Sequence, residues 1–301
     1  MTVLLLVLPD FLLIALGWLL LHRFRFPREF FNNAEKLIYF VLFPALLFHS
    51  ITQAPGNLAQ ASGLIQATLA LMAIAVGLSW LAVPILRPDS RDHGSVAQCG
   101  FRFNTYIGLS IAGGLAGGAG QTLMAVIVGF AIPVANIAAV HALARRGKHG
   151  FLKEISRNPF VLATLLALAV NLTGTPVPAV VQGTLKHLAA SAIGLGLLCV
   201  GATLSLTGAR QSTGLMSWML AVRLLAVPLA ALGVGALLDL PPDQRLILLL
   251  FGALPTASAA HVLAARMGGN GALTALTMSV GTVLSAVTIP LWILVGTHWI
   301  H

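Results

Sequence analysis

Two polar stretches lie where long apolar runs ought to continue. Gln98-Cys99-Gly100-Phe101-Arg102-Phe103-Asn104-Thr105-Tyr106-Ile107-Gly108 interrupts one run and Phe251-Gly252-Ala253-Leu254-Pro255-Thr256-Ala257-Ser258 the other, with Asn104 and Pro255 151 positions apart. Each is followed at that same offset by a glycine-rich exit, Gly117-Gly118-Ala119-Gly120 and Gly268-Gly269-Asn270-Gly271. Pro255 has no N–H and displaces the carbonyl four residues earlier, which costs about 3 kcal/mol in a plain helix interior. A helix broken at each place presents the N-terminus of a half-helix, with orphan N–H groups and about half a positive charge. Two such ends facing one another suit a carboxylate. Asn104, Thr105, Thr256 and Ser258 carry the short polar side chains that cap such ends or reach a ligand oxygen. Arg102 has a planar fork that fits a carboxylate; alternatively it snorkels to the headgroups. Close packing of small residues around a kink, with no ligand, is the plainer alternative for the whole pair.

Few other residues could do chemistry. Asp10 is the only carboxylate inside a predicted span, and an intramembrane carboxylate suggests proton coupling, unless it is simply hydrated beside Pro9. His49 and His261 are of the type that titrates near neutral pH and relays protons, and equally of the type that packs quietly on a helix. Asn136 suits a hydrogen bond between helices, and Arg223, inside the eighth span, reads most simply as a snorkelling residue. No GxxxxGK[ST] phosphate loop, HExxH pair or Cys/His cluster occurs, so neither ATP hydrolysis nor a metal site is expected, and no cofactor is implied. Gly108-Leu109-Ser110-Ile111-Ala112 falls one residue short of GxSxG and lacks the strand-to-helix elbow, so an enzyme is not expected. Cys99 and Cys199 read as buried apolar thiols.

The elements that must hold these residues are membrane helices. The chain is 58 % apolar and 8 % charged, far from the roughly 25 % charge of an ordinary soluble domain. Ten runs, about 3–21, 36–52, 61–86, 95–117, 121–143, 159–173, 180–206, 214–238, 244–266 and 272–296, recur from end to end, most of them long enough to cross roughly 30 Å of hydrocarbon. The first has no basic residue before Leu4 and is too long for a cleavable signal, so it reads as the first span. The matched breaks, and Pro9 against Pro159, divide the chain into two five-helix repeats, 1–143 and 159–301, joined by a linker over 144–158. An odd number of spans per repeat inverts the second copy, and the fold expected is an all-α membrane protein with crossed broken helices four and nine.

The net charge of +9 collects in alternate loops. Arg23, Arg25, Arg28, Lys36, Arg87, Arg91, Arg102, Arg145, Arg146, Lys148, Lys153, Arg157, Arg210 and Arg266 fall on one side; Lys186 and Arg245 fall on the other. The positive-inside rule then places the basic loops in the cytoplasm and both termini outside, and accounts for the charge without nucleic acid.

The chain resembles the auxin efflux carrier family, within the superfamily of bile-acid, arsenite and riboflavin transporters. The resemblance rests on Phe101-Arg102-Phe103-Asn104-Thr105-Tyr106-Ile107-Gly108-Leu109, Leu254-Pro255-Thr256-Ala257, Val262-Leu263-Ala264, Phe43-Pro44-Ala45-Leu46-Leu47, Asn158-Pro159 and Gly201-Ala202-Thr203-Leu204. It implies a secondary transporter of a small organic anion such as malonate, malate, lactate or an auxin-like acid, working by alternating access at the crossing in the cell inner membrane. Tyr106 stands where the family usually has Gly, and Ser110 where it usually has Pro. Sodium–bile acid symporters share the architecture and form the alternative, though their acidic sodium ligands are not evident; a non-transporting anion sensor is a further one. The partners expected are the anion, the lipid bilayer, a coupling proton or sodium ion and, as an open option, a second copy in a homodimer. Cysteines introduced singly over 145–157 should resist a membrane-impermeant thiol reagent in intact cells, and efficient labelling there would reverse the orientation.

Overall fold

The computed structural model describes residues 2–53, 62–143, 159–205, 212–257 and 259–299, and among them every regular element is a helix. The first half contains α1 (Thr2–His22), α2 (Arg28–Leu37), a π-helical segment (Ile38–Leu42), α3 (Phe43–Thr52), α4 (Ser62–Leu86), α5 (Ser90–Val96), α6 (Gln98–Phe101) and α7 (Thr105–Leu143). The second contains α8 (Pro159–Thr173), α9 (Ala179–Thr203), α10 (Thr213–Ala221), a second π-helical segment (Val222–Ala226), α11 (Val227–Leu237), α12 (Pro242–Ala253), α13 (Ala259–Arg266) and α14 (Gly271–Trp299). The linker 144–158 lies outside the described residues.

Seven stretches among the described residues are long and apolar enough to cross a membrane: Leu5–His22, Arg28–Thr52, Ser62–Leu86, Ser90–Leu143, Ala179–Thr203, Thr213–Leu237 and Gly271–Trp299. The second begins earlier than hydropathy suggests, because α2 buries Phe31 and Ala34 while Arg28, Glu29, Asn32, Asn33, Glu35 and Lys36 lower its mean hydropathy. Ser90–Leu143, at 54 residues, is far longer than one crossing needs. Inside α7, Ala116 (φ −138°, ψ 23°) and Gly117 (φ 56°, ψ −143°) leave helical geometry, and a Cβ on Gly120 would strike the carbonyl of Ala112. Eight residues along a straight helix lie about 12 Å apart. The chain therefore doubles back here, and α7 is a helical hairpin. Gly268, 151 residues after Gly117, is likewise left-handed, at φ 75°; both positions need the conformation that glycine adopts without a steric penalty.

The two π-helical segments have one cause. Pro44 and Pro228 follow them in the first turns of α3 and α11, and each proline deprives the carbonyl four residues earlier of its donor. The ladder widens instead: the N–H of Phe43 reaches Ile38 O and that of Val227 reaches Val222 O, the i→i−5 pattern of a π turn.

Packing follows the rule for helices in lipid, where small residues allow close approach. α1 lies against α9 with Gly17 on the Leu198 backbone and Gly201 on the Ile14 and Trp18 backbone, so close that a Cβ at either glycine would collide with main chain. α3 packs on α8 and α9, α11 on α12, and α12 on α7 and α14. On α14 the buried face carries Thr274, Thr277, Thr282 and Ser285, while Val283, Leu284, Val287, Leu291 and Leu294 point outward. The buried hydroxyls of Thr277, Thr282 and Ser285 return to carbonyls of their own helix, which removes the desolvation cost of polar groups facing inward.

Gly201→Ala should therefore lower thermal stability by about 1–3 kcal/mol through overpacking. Gly214→Ala, with nothing within 4 Å of the added atom, should be neutral or stabilising by up to about 1 kcal/mol. Thermal unfolding of both variants in the same detergent checks the contrast.

Candidate functional site

The two breaks touch. Helix geometry ends at Phe101 and resumes at Thr105, with Arg102 extended (φ −74°, ψ 148°); it ends again at Ala253, with Leu254 extended (φ −64°, ψ 142°). Where they cross, the Asn104 N–H donates to Pro255 O at 2.7 Å. Thr256 Oγ1 donates to Cys99 O at 2.8 Å and Gln98 Nε2 to Ala260 O at 3.0 Å, so side chains of each broken helix bond directly to the backbone of the other. Phe103 meets Phe251 edge-on at 4.7 Å. Asn104 is 1 % and Thr256 3 % exposed, so the crossing is closed in this conformation.

Asn104 is the N-cap of α7: its Oδ1 accepts from Tyr106 N at 3.1 Å and Ile107 N at 3.2 Å. A comparison lies in the same molecule. Asn270 caps α14 in the same manner, accepting from Leu273 N at 3.0 Å, and its amide Nδ2 donates to Asp92 at 2.9 Å. The amide Nδ2 of Asn104 is buried and has no acceptor. An unmet buried donor costs about 1–3 kcal/mol, and the one at Asn104 sits beside the opposing break.

The remaining sequence candidates fall as follows. Thr105 is half-buried at the first position of α7 and Pro255 is buried. Ser258 lies outside the described residues. Arg102 projects to α7, where Nη2 donates to Asn136 Oδ1 at 2.8 Å while Nε finds no partner; Asn136 thus makes the interhelical bond its position suggested. Asp10 is 5 % exposed. Its Oδ1 accepts from Ser110 at 2.6 Å and its Oδ2 has no partner, so Ser110 replaces the usual proline with a tie between α1 and the first arm of α7. The break in front of it forms without that proline, held by the Asn104 cap and the extended Arg102. Tyr106 is accommodated by the bare backbone of Gly196 and lies edge-on to Phe43 at 5.4 Å. His49, partly buried in α3, and His261, partly buried in α13, stand on other elements than Asp10.

One reading is corrected. Arg223 does not snorkel: it is 1 % exposed, in the middle of the Thr213–Leu237 stretch. Its Nε donates to Leu254 O and its Nη2 to Phe251 O at 2.7 Å; Pro255 has no N–H to give Phe251 O the bond expected four residues on, and Leu254 N reaches that carbonyl only at 3.4 Å. The sequence held the signal, since ten residues from the start of that stretch is about 15 Å of helix, beyond the reach of one side chain. Gln98 was also missed; it bridges α6 to α13, and its Oε1 is a buried acceptor without a partner.

Apolar helices that span a membrane, two of them broken and joined at their breaks, are an arrangement that membrane transporters use. The chain belongs to the auxin efflux carrier family: the model described as "Membrane transport protein" matches residues 2–149 and 144–293. It is 25 % identical over 307 residues to the uncharacterized transporter YfdV of Escherichia coli strain K12, covering 96 % of both chains. It is 26 % identical over 308 residues to a protein of Rhizobium meliloti strain 1021 named provisionally as a malonate transporter, covering 94 % of this chain and 92 % of that one. An uncharacterized transporter of Methanothermobacter thermautotrophicus is 25 % identical over 301 residues, covering 95 % and 96 %.

Asn104→Ala should cost about 0.5–2 kcal/mol through loss of the α7 cap, whereas Asn104→Asp, which keeps the accepting oxygen, should retain most of that stability. Thermal unfolding of the two purified variants distinguishes capping from other roles of the residue.

Proposed function

We propose that the protein carries a small organic anion, a carboxylate, across the cell inner membrane by alternating access at the α6/α7 and α12/α13 crossing. The observation that carries this reading is Asn104: its oxygen is spent on the α7 cap while its buried amide nitrogen, next to Pro255, has no acceptor. A carboxylate oxygen supplies the missing acceptor, and the N-terminal end of α7 favours its charge. Thr105, Thr256, Ser258 and Arg102 are the other groups proposed to bind it. The malonate named for the Rhizobium relative is a carboxylate of this kind.

The architecture proposed with it is ten spans in two inverted five-helix repeats, 1–143 and 159–301, with 144–158 and the other basic loops in the cytoplasm and both termini outside. The doubled-back α7, the division of Pro242–Arg266 into two half-helices, and the left-handed Gly117 and Gly268 at the offset of Asn104 and Pro255 support that count and pairing. For coupling, Asp10 is the leading proton carrier, because its unpartnered oxygen can take a proton without breaking the bond from Ser110; His49 and His261 are further candidates.

Proteoliposome uptake of radiolabelled small mono- and dicarboxylates tests the proposal. Asn104→Asp should fold yet abolish uptake, since a carboxylate would then occupy the anion's place, and Asp10→Asn should abolish pH-driven accumulation while leaving exchange intact. Uptake by Asn104→Asp equal to the parent would move the site away from the crossing.

A further inference from the structure

The crossing carries more positive charge than an Asn cap and helix ends supply. It exposes two helix C-termini, at Phe101 and Ala253, and two N-termini, at Thr105 and Ala259. Their partial charges cancel to first order. Two guanidinium groups remain. Arg102 is joined to a neutral amide, Asn136, and Arg223 to two neutral carbonyls. The one ion pair among the described residues, Arg245–Asp239, involves neither. Asp10, the carboxylate nearest the middle of the spans, bonds to Ser110.

Arg223 is the less expected of the two. Arginine stays protonated, and an uncompensated ion in the interior costs several kcal/mol even after relaxation. Packing over Phe251, 5.9 Å from the ring centre, offsets part of that. Capping the carbonyls of Phe251 and Leu254 explains two of its nitrogens. Nη1 is buried and has no partner. A lone cap could be a neutral amide or hydroxyl; a full charge with a spare donor, bonded to the Leu254 carbonyl next in the chain to the Pro255 carbonyl that binds Asn104, calls for an anion.

We propose that Arg223 is a specificity-determining residue of the crossing: its fixed charge, added to that of Arg102, makes the site prefer a carboxylate bearing two negative charges to one bearing a single charge. This rests on the reading of the crossing as an anion site. Through the Leu254 and Phe251 carbonyls Arg223 also holds the break in shape, so stability alone would not reveal the role; the charge preference does.

The test uses the full-length protein in detergent and liposomes, with malonate, succinate and glutarate each compared with its own monoamide by competition. The parent should favour each dianion over its monoamide by at least about tenfold, a difference of 1.4 kcal/mol. Arg223→Lys should keep that preference, while Arg223→Gln and Arg223→Met should bring it close to unity by weakening the dianions far more than the monoamides. Equal affinity of the parent for dianion and monoamide overturns the proposal, as does a neutral variant that keeps the preference. Should neither neutral variant fold, Arg223→Lys decides, since loss of the preference with the charge still present would also overturn it. If the parent binds neither class of ligand, the anion reading of the crossing falls; if it binds both equally, only the role given to Arg223 does.

Discussion

A backbone group set free at membrane depth must find a partner inside the protein, because lipid offers none. Breaking two helices at mid-span frees a set of N–H and C=O groups, and the fold answers by bringing the breaks together. Asn104 N meets Pro255 O, Thr256 reaches Cys99 O, and Arg223 takes the carbonyls of Phe251 and Leu254. Among the described residues of the crossing, what is left over after this mutual satisfaction is mostly donors, the Asn104 amide nitrogen and one buried nitrogen on each guanidinium, against the acceptor of Gln98.

The surroundings divide into parts that can yield and parts that cannot. α1 and α9 meet through backbone at Gly17 and Gly201, with no flexible side chain between them to absorb a displacement. The crossing, by contrast, is held by single hydrogen bonds between short extended segments, each worth only about 0.5–1.5 kcal/mol net. Asp10 stands on the firm side and Ser110 on the arm of α7 that leads away from the break. That hydrogen bond, with the packing of Tyr106 on Gly196 and of Leu6 on Gly114, connects the unyielding pair of helices to the segment that must move if the crossing opens.

Much of this was legible in the sequence, and what was legible was local. Proline, glycine and a capping asparagine act on their own backbone, so the breaks near Asn104 and Pro255 and the turns at Gly117 and Gly268 could be placed from residue type alone. Hydropathy likewise pointed to a membrane protein, and seven stretches among the described residues are long and apolar enough to cross. Pairings across the fold could not be read. Ser110 meets Asp10 across 100 positions and Arg223 meets Leu254 across 31, and which faces meet depends on packing that no single segment encodes. Arg223 was misjudged for a related reason: the same residue type snorkels or buries according to depth and neighbours, and only its depth was in the sequence. The start of the second membrane stretch was missed because α2 is polar on one side and buried on the other.

The two π turns bear on how this chain lines up with its relatives. A π turn is an α-helix holding one residue too many, so the stripe of inward-facing side chains slips by about 100° across it when counted at helical spacing. Ile38–Leu42 and Val222–Ala226 each absorb such a residue. A relative shorter by one residue in either place would close its ladder into plain helix, and its side chains above and below would still occupy equivalent positions in space. An alignment that forces ungapped matching through these segments would misassign every residue from the π turn to the next loop, Arg223 among them. At 25 % identity, correspondence in this region follows backbone geometry more safely than the count of residues.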